Sequence, residues 1–336
     1  MSIKKLGSQT IKFDNPPSII GTASIVGPME GKGRFKDYYD LILNDNIYNE
    51  SSWEKAEKKL LKEAVEMAIK SSNTATGEVE YLIAGDLLNQ IISAGFAARE
   101  LGFPFFGIYG ACSTIVEGAT IASIIIDGGF ADNVIAAVSS HFCTAERQFR
   151  FPLELGNQRS PTSQWTVTGA GALVLSTKTQ NPRVTLATTG KVIDMGESNP
   201  NDMGTAMAPA AVDTIMKHFQ DTQRTPDDYD LIITGDLGTL GKEITEELLK
   251  QKGYDVSGNF SDCGVLIYYP EQDVHAGGSG CACAAVVTCG YIYKEMLKQK
   301  YNKVLVVATG ALLSTTSSQQ GETIPCIAHA VSLENL

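Results

Sequence analysis

Asn133-Val134-Ile135-Ala136-Ala137-Val138-Ser139-Ser140 returns 170 residues later as Lys303-Val304-Leu305-Val306-Val307-Ala308-Thr309-Gly310. Both stretches are apolar without alternation, which a strand tolerates only when both of its faces are covered. At the same spacing, Gly110-Ala111-Cys112 falls on Gly280-Cys281-Ala282. In each copy this small-residue turn opens a helical stretch, 115–127 and 284–298, that leads into the strand. A third match sets Tyr81-Leu82-Ile83-Ala84-Gly85-Asp86-Leu87 against Leu231-Ile232-Ile233-Thr234-Gly235-Asp236-Leu237, 150 residues on. Three features repeated in one order predict two similar α/β halves, residues 1–185 and 186–336. Apolar Ala56, Leu60, Leu61, Ala64, Val65 and Ala68 predict a helix over 52–71 with Ser52 at its start, and strands are expected over 19–25 and 81–84. No linker or charge run separates the halves. Small residues such as Ala119, Ala122, Ala284 and Ala285 would let the central helices pack closely between two sheets.

Composition narrows the function. The chain has 336 residues, 43% of them hydrophobic, and 32 glycines without a period, so disordered and collagen-like classes are excluded. Acidic residues outnumber basic ones 38 to 27, a formal charge of −11, which gives no general attraction for nucleic acid. No apolar run approaches the roughly 18 residues of a membrane helix, and the lysines at the start lead into no apolar stretch, so no secretory signal is expected. Seven cysteines, an odd number lying mostly in apolar segments, read as reduced thiols.

Cys112 is the sharpest candidate for chemistry. A Gly turn meets the first residues of a helix there, where free N–H groups and the positive helix end are expected to lower a thiol's pKa and to hold an anion. Its structural alternative is a buried cysteine. Of four histidines, His141 follows a strand end, where α/β sheets place ligands, and His275 precedes a glycine-rich turn. His329 lies in the C-terminal segment, and His218 is expected at a helix surface. Asp86 and Asp236 each end a strand, so either serves as a helix cap or as a site residue; Asp86, followed by Asn89 and Gln90, is favoured for the site. Arg147 and Arg150, beside aromatics, suit a carboxylate or a local ion pair with Glu146. Gly277-Gly278-Ser279-Gly280 has no Lys after it and is not a phosphate loop. Cys281 and Cys283 lack the spacing of a zinc site.

Taken together, a Cys at the mouth of a central helix, duplicated halves and the strand entry Gly169-Ala170-Gly171-Ala172-Leu173-Val174-Leu175 resemble the thiolase-like superfamily, which includes the ketoacyl synthases. The strings Ala84-Gly85-Asp86-Leu87-Leu88-Asn89-Gln90, Gly110-Ala111-Cys112-Ser113-Thr114, Thr144-Ala145-Glu146-Arg147-Gln148-Phe149-Arg150, Gly277-Gly278-Ser279-Gly280-Cys281-Ala282-Cys283 and Ala308-Thr309-Gly310-Ala311-Leu312-Leu313-Ser314 resemble, within it, a sporulation family that binds dipicolinic acid (pyridine-2,6-dicarboxylate). The resemblance covers about residues 8–332. It implies a duplicated five-layer α-β-α-β-α fold and a binding protein for dipicolinate, with calcium only as part of the ligand and no other cofactor. Ligand contacts are then expected from Cys112, Asp86, Asn89, Ser140, His141, Arg147, Gly278 and Ser279. It also implies a homodimer paired through the sheet edge, here assigned to Asn133–Ser140, and other membrane proteins of one uptake complex as partners. The location implied is peripheral, on the cytoplasmic side of the forespore or spore inner membrane. Condensing enzymes of the superfamily carry a His at the end of the strand matching Leu231–Thr234, where this chain has Gly235-Asp236. They carry a second His or Asn in a turn where it has Gly278-Ser279. Cys112 without those partners implies binding rather than catalysis; the alternative is an acyltransferase in which His275 or His329 serves as the base. A scaffold within a membrane complex is a third reading.

Overall fold

The computed structural model of the protein describes residues 4–149 and 159–336. Along the main path of the sheet, five strands come from the first half: β1 (Ser18–Val26), β2 (Tyr81–Gly85), β3 (Phe105–Gly107), β4 (Asn133–Ser140) and β5 (Gly169–Ser176). Five come from the second: β6 (Arg183–Thr188), β7 (Leu231–Thr234), β8 (Phe260–Asp262), β9 (Lys303–Ala311) and β10 (Cys326–Glu334). Their order is β8-β7-β9-β10-β6-β1-β5-β4-β2-β3, so each half repeats the same succession outward from the middle. Arg183 opposite Ser18 joins the half-sheets, and Thr10–Lys12 of the first half also pairs with residues 186–188 of β6. β6 runs across the 185/186 division drawn from the sequence.

The helices are α1 (Trp53–Ser71), α2 (Ile92–Leu101), α3 (Thr114–Asp127), α4 (Phe142–Phe149), α5 (Met203–Thr222), α6 (Gly238–Gln251), α7 (Cys263–Ile267) and α8 (Cys281–Val286). α8 continues through a π-helical stretch, Val287–Ile292, into α9 (Tyr293–Leu297). Ser52 caps α1 by accepting from the Lys55 N–H at 3.3 Å, and its buried Leu60, Leu61, Ala64 and Val65 lie against β1, β4 and β5. α5 covers the outer face of β9 and β10, with α6 beside it, while α3 and α8 lie between the sheets. The result is a five-layer α-β-α-β-α stack. Small residues permit the central layers: a Cβ on Gly171 of β5 would sit 2.7 Å from the Ala285 Cβ of α8.

Two expectations are corrected here. All eight residues of β4 are buried, and the strand is paired on both sides, by β2 and by β5. Asn133–Ser140 is therefore no sheet edge; the open edge is β3, whose three residues are all exposed. His218 does not lie at the helix surface. It faces the core from α5, with Nδ1 on the Thr188 hydroxyl (2.8 Å) and Nε2 on the Tyr229 hydroxyl (2.6 Å), and burial lowers its pKa to about 3.

Candidate functional site

Each half ends a strand against the helix-opening turn of the other. Gly280, just before α8, packs on Ser140 at the end of β4: a Cβ there would lie 2.8 Å from the Ser140 hydroxyl. Gly310, near the end of β9, packs on the turn before α3, and its Cβ would lie 2.2 Å from the Gly110 carbonyl. The corner at α8 is plugged, because the Ser140 hydroxyl donates to the Val167 carbonyl at 2.7 Å and accepts from the Ala282 N–H at 3.1 Å. Ala282 is the counterpart of Cys112. At the Cys112 corner the matching residue is Gly310, whose missing side chain lets the Gly110 turn pack directly on the strand, and a chamber opens beside Cys112.

That chamber is small, about 40 Å³, and is lined by Cys112, Tyr109, Thr166, Ser279, Met203 and Phe149 among others. It shares Tyr109, Phe149 and Leu313 with an outer cleft of about 550 Å³, whose rim carries Asn89, Gln90, Ser314 and Ser317. The turn below is locked. Ala111 is left-handed at φ 50°, the Ser113 hydroxyl donates to the Gly110 carbonyl at 2.7 Å, and the Thr114 hydroxyl donates to the Ala111 carbonyl at 2.6 Å. Two further left-handed non-glycine residues, Gln90 (φ 58°) and Ile91 (φ 47°), shape the cleft wall. A β-branched residue in that region is strained, and such strain gathers at functional sites.

The expected low pKa of Cys112 is corrected. Burial first, then the Asp236 carboxyl and the Cys281 thiol beside it, push the Cys112 thiol well above its ordinary range. The helix end does not prevail, because the sulfur is enclosed and its nearest charged neighbour is an acid. Asp236 accepts from the Ser279 hydroxyl (3.0 Å), the Gly280 N–H (3.1 Å) and the Thr309 hydroxyl (2.8 Å). Burial raises its own pKa against the pull of these donors.

Of the residues expected in the site, the structure brings Cys112 and Ser279 to the chamber and Asn89 to the cleft. Gly278 stands behind them, its carbonyl accepting from the Gln164 amide at 3.2 Å. Asp86 is not among the residues lining either space. Its carboxylate is spent on the Leu88 and Ala94 N–H groups, both at 2.7 Å, and burial raises its pKa to about 6. Ser140 serves the opposite corner. His141 is buried with both ring nitrogens engaged, Nε2 on the Asn46 carbonyl (2.7 Å) and Nδ1 accepting from the Cys143 N–H (3.1 Å). Arg147 reaches outward, half-exposed, to an ion pair with Glu54 and over the Trp53 ring; Glu146 pairs with Arg159 at 3.0 Å. Arg150 lies outside the described residues. His329 accepts from the Gly190 N–H at 3.2 Å, and His275 sits 3.7 Å from Asp273. Among the described residues lining the chamber there is no histidine, lysine or arginine.

The sequence reading passed over Tyr109 and Phe149 as site residues. Tyr109 stood immediately before the turn and could have been found from that position. Asp236 was in view but ranked below Asp86. The deciding feature is Asp262, from the neighbouring β8, which accepts from the Leu237 N–H (2.8 Å) and the Gly238 N–H (3.0 Å). It takes over the turn-capping that Asp86 performs in the first half and leaves Asp236 to the Ser279, Gly280 and Thr309 donors.

Comparison with known proteins agrees with this architecture. A family model described as Stage V sporulation protein AD matches residues 7–334. Stage V sporulation protein AD of Bacillus subtilis (strain 168) is 49% identical over 332 residues, covering 99% of this chain and 98% of that protein. Among solved structures, 3-oxoacyl-[acyl-carrier-protein] synthase III from Aquifex aeolicus VF5 has a TM-score of 0.61 at 15% identity, covering 95% of this chain and 100% of that one. Cerulenin-bound OleA of Xanthomonas campestris has a TM-score of 0.62 at 14% identity, covering 98% of this chain and 100% of that one. At those identities the two structures share the thiolase-like fold with this chain, and the likeness goes no further.

Proposed function

The chain belongs to the stage V sporulation protein AD family, and from that premise we propose that its one-sided corner at Cys112 binds dipicolinic acid without catalysis, for uptake into the developing endospore. The single observation carrying this is the chamber and cleft at the mouth of α3, a concave space of mixed apolar and polar lining typical of small-molecule sites. Tyr109 and Phe149 offer flat walls to a pyridine ring. The chamber has room for little more than a carboxyl group, so the ring would occupy the cleft, within reach of Asn89 and Gln90. A bare dianion would meet no lysine or arginine among the described chamber residues and would stand near Asp236. The calcium chelate, neutral overall, suits these surroundings better.

Equilibrium binding of dipicolinate to the purified chain, with and without calcium, tests the reading. Saturable binding that strengthens with calcium is expected. Absence of binding at about millimolar ligand overturns it, and so does a stable acyl mass increment on Cys112 after incubation with an acyl thioester.

A second copy is proposed at β3. Phe103-Pro104-Phe105-Phe106-Gly107-Ile108-Tyr109 carries no charge, and a bare uncharged edge strand is a template for pairing. Tyr109 continues from this edge into the chamber, so a partner copy there would border the site. Sedimentation of the purified chain as a monomer at micromolar concentration would refute the pair. No helix among the described residues is long and apolar enough to cross a membrane. Attachment to the spore inner membrane would then be peripheral, through protein partners of the uptake complex.

A further inference from the structure

The Cys112 corner holds a carboxyl and a thiol side by side, and their surroundings assign the carboxyl a task. Asp236 is fully enclosed and is held by three donors from two segments, Ser279 and Gly280 on one side and Thr309 on the other. Those donors sit where the halves cross. Ser279 lines the chamber together with Cys112, and Gly310, which follows Thr309, lies against the turn at 110–113. The Asp236 side chain therefore cannot swing away from the sulfur without losing every partner it has.

We propose that Asp236 is the residue that silences Cys112, keeping one negative charge fixed beside the sulfur so that a thiolate does not form there. The titratable groups acting on Cys112 or acted on by it are Asp236, Cys281, Cys283 and Tyr109, all of them acids. Cys281 is itself committed, its thiol donating to the Ala111 carbonyl at 3.0 Å. Ionising Cys112 would put a second negative charge into a dry corner beside a carboxylate, which like-charge repulsion opposes strongly. The nucleophile's place is kept while its reactivity is removed. Since only the corner's own groups are involved, the inference stands apart from which ligand the cleft takes.

Alkylation of the full chain by iodoacetamide, from about pH 7 to about pH 10, provides the test, with each cysteine peptide followed by mass spectrometry. In this reaction the sulfur–carbon bond forms, iodide leaves and the thiol proton passes to buffer. Wild-type Cys112 is expected to stay slow at the neutral end of this range and to be still accelerating at its alkaline end. Asp236→Asn should raise its rate roughly ten-fold at about pH 8. Cys289, buried with Asp40 and Lys294 as its charged neighbours, should stay unlabelled in both proteins and thereby report that the fold is intact. Equal Cys112 rates with Cys289 silent overturn the proposal. If Cys289 labels in Asp236→Asn, that variant has unfolded and Asp236→Ser is read in its place: a faster Cys112 supports the proposal and an unchanged rate overturns it.

Discussion

The corners at Cys112 and at Ala282 are built from matching segments, 170 residues apart, yet one is open and the other is sealed. At the sealed corner a serine ends the opposing strand and its hydroxyl takes the helix-opening N–H of Ala282. At the open corner a glycine holds the same place, the Gly110 turn packs directly against it, and a chamber lies beside Cys112. The two Gly-Asp-Leu strand ends diverge in parallel. Asp86 caps its own turn, while Asp262 caps the other turn for Asp236. Duplication supplies two candidate sites, and which one survives is decided by single side chains at the crossing.

The comparison breaks most sharply if the glycine at the open corner gains a side chain. Gly310→Ala drives a methyl into the Gly110 carbonyl, a backbone atom that cannot step aside, and should cost roughly 3 kcal/mol of stability and abolish ligand binding. Urea unfolding and a binding titration check both effects. The reverse change, Ser140→Ala, empties the sealed corner. It leaves the Ala282 N–H and the Val167 carbonyl without their partner and should cost about 2 kcal/mol, with binding unchanged because the sealed corner does not line the chamber. Binding lost along with the hydroxyl would mean that the two corners are coupled. The smallest effect concerns pH. Asp86 has its pKa raised by burial to about 6 from 3.8, so the folded state favours its protonated form. The stability this gives is complete below about pH 4 and is lost as pH rises through about 6. Stability of the wild type minus that of Asp86→Asn should therefore fall across that interval; a flat difference would show that Asp86 is ionised throughout in the folded chain.

The duplicated fold was legible because its signals are local and repeated: unbroken apolar strands such as Lys303–Ala311, and glycine turns before helices. The position of the site was legible at Cys112 and Ser279 for the same reason. What the sequence could not convey lies across the crossing, between residues far apart in the chain. Asp262 takes over a cap from the next strand, and no motif marks that. Ser140 and Gly310 differ by one side chain, whose meaning appears only when each is set against the other half's turn. His141 read as a ligand contact because it follows a strand end, but α4 begins at the next residue and the imidazole turns inward to Asn46 and Cys143. Arg147 looked like a carboxylate receptor and is one, for Glu54 of its own chain.

The contact of Gly310 with the turn at Gly110 also fixes when the site can come into being. Contacts so distant in sequence close late, after the local helices and hairpins have formed. On a ribosome, where a chain emerges from its N-terminus, the first half is finished long before residue 310 is made. Until then Cys112 sits in an incomplete turn without its wall. A nascent chain arrested between the halves would be folded in part and without the chamber's far wall, so the corner is complete only with nearly the last strand.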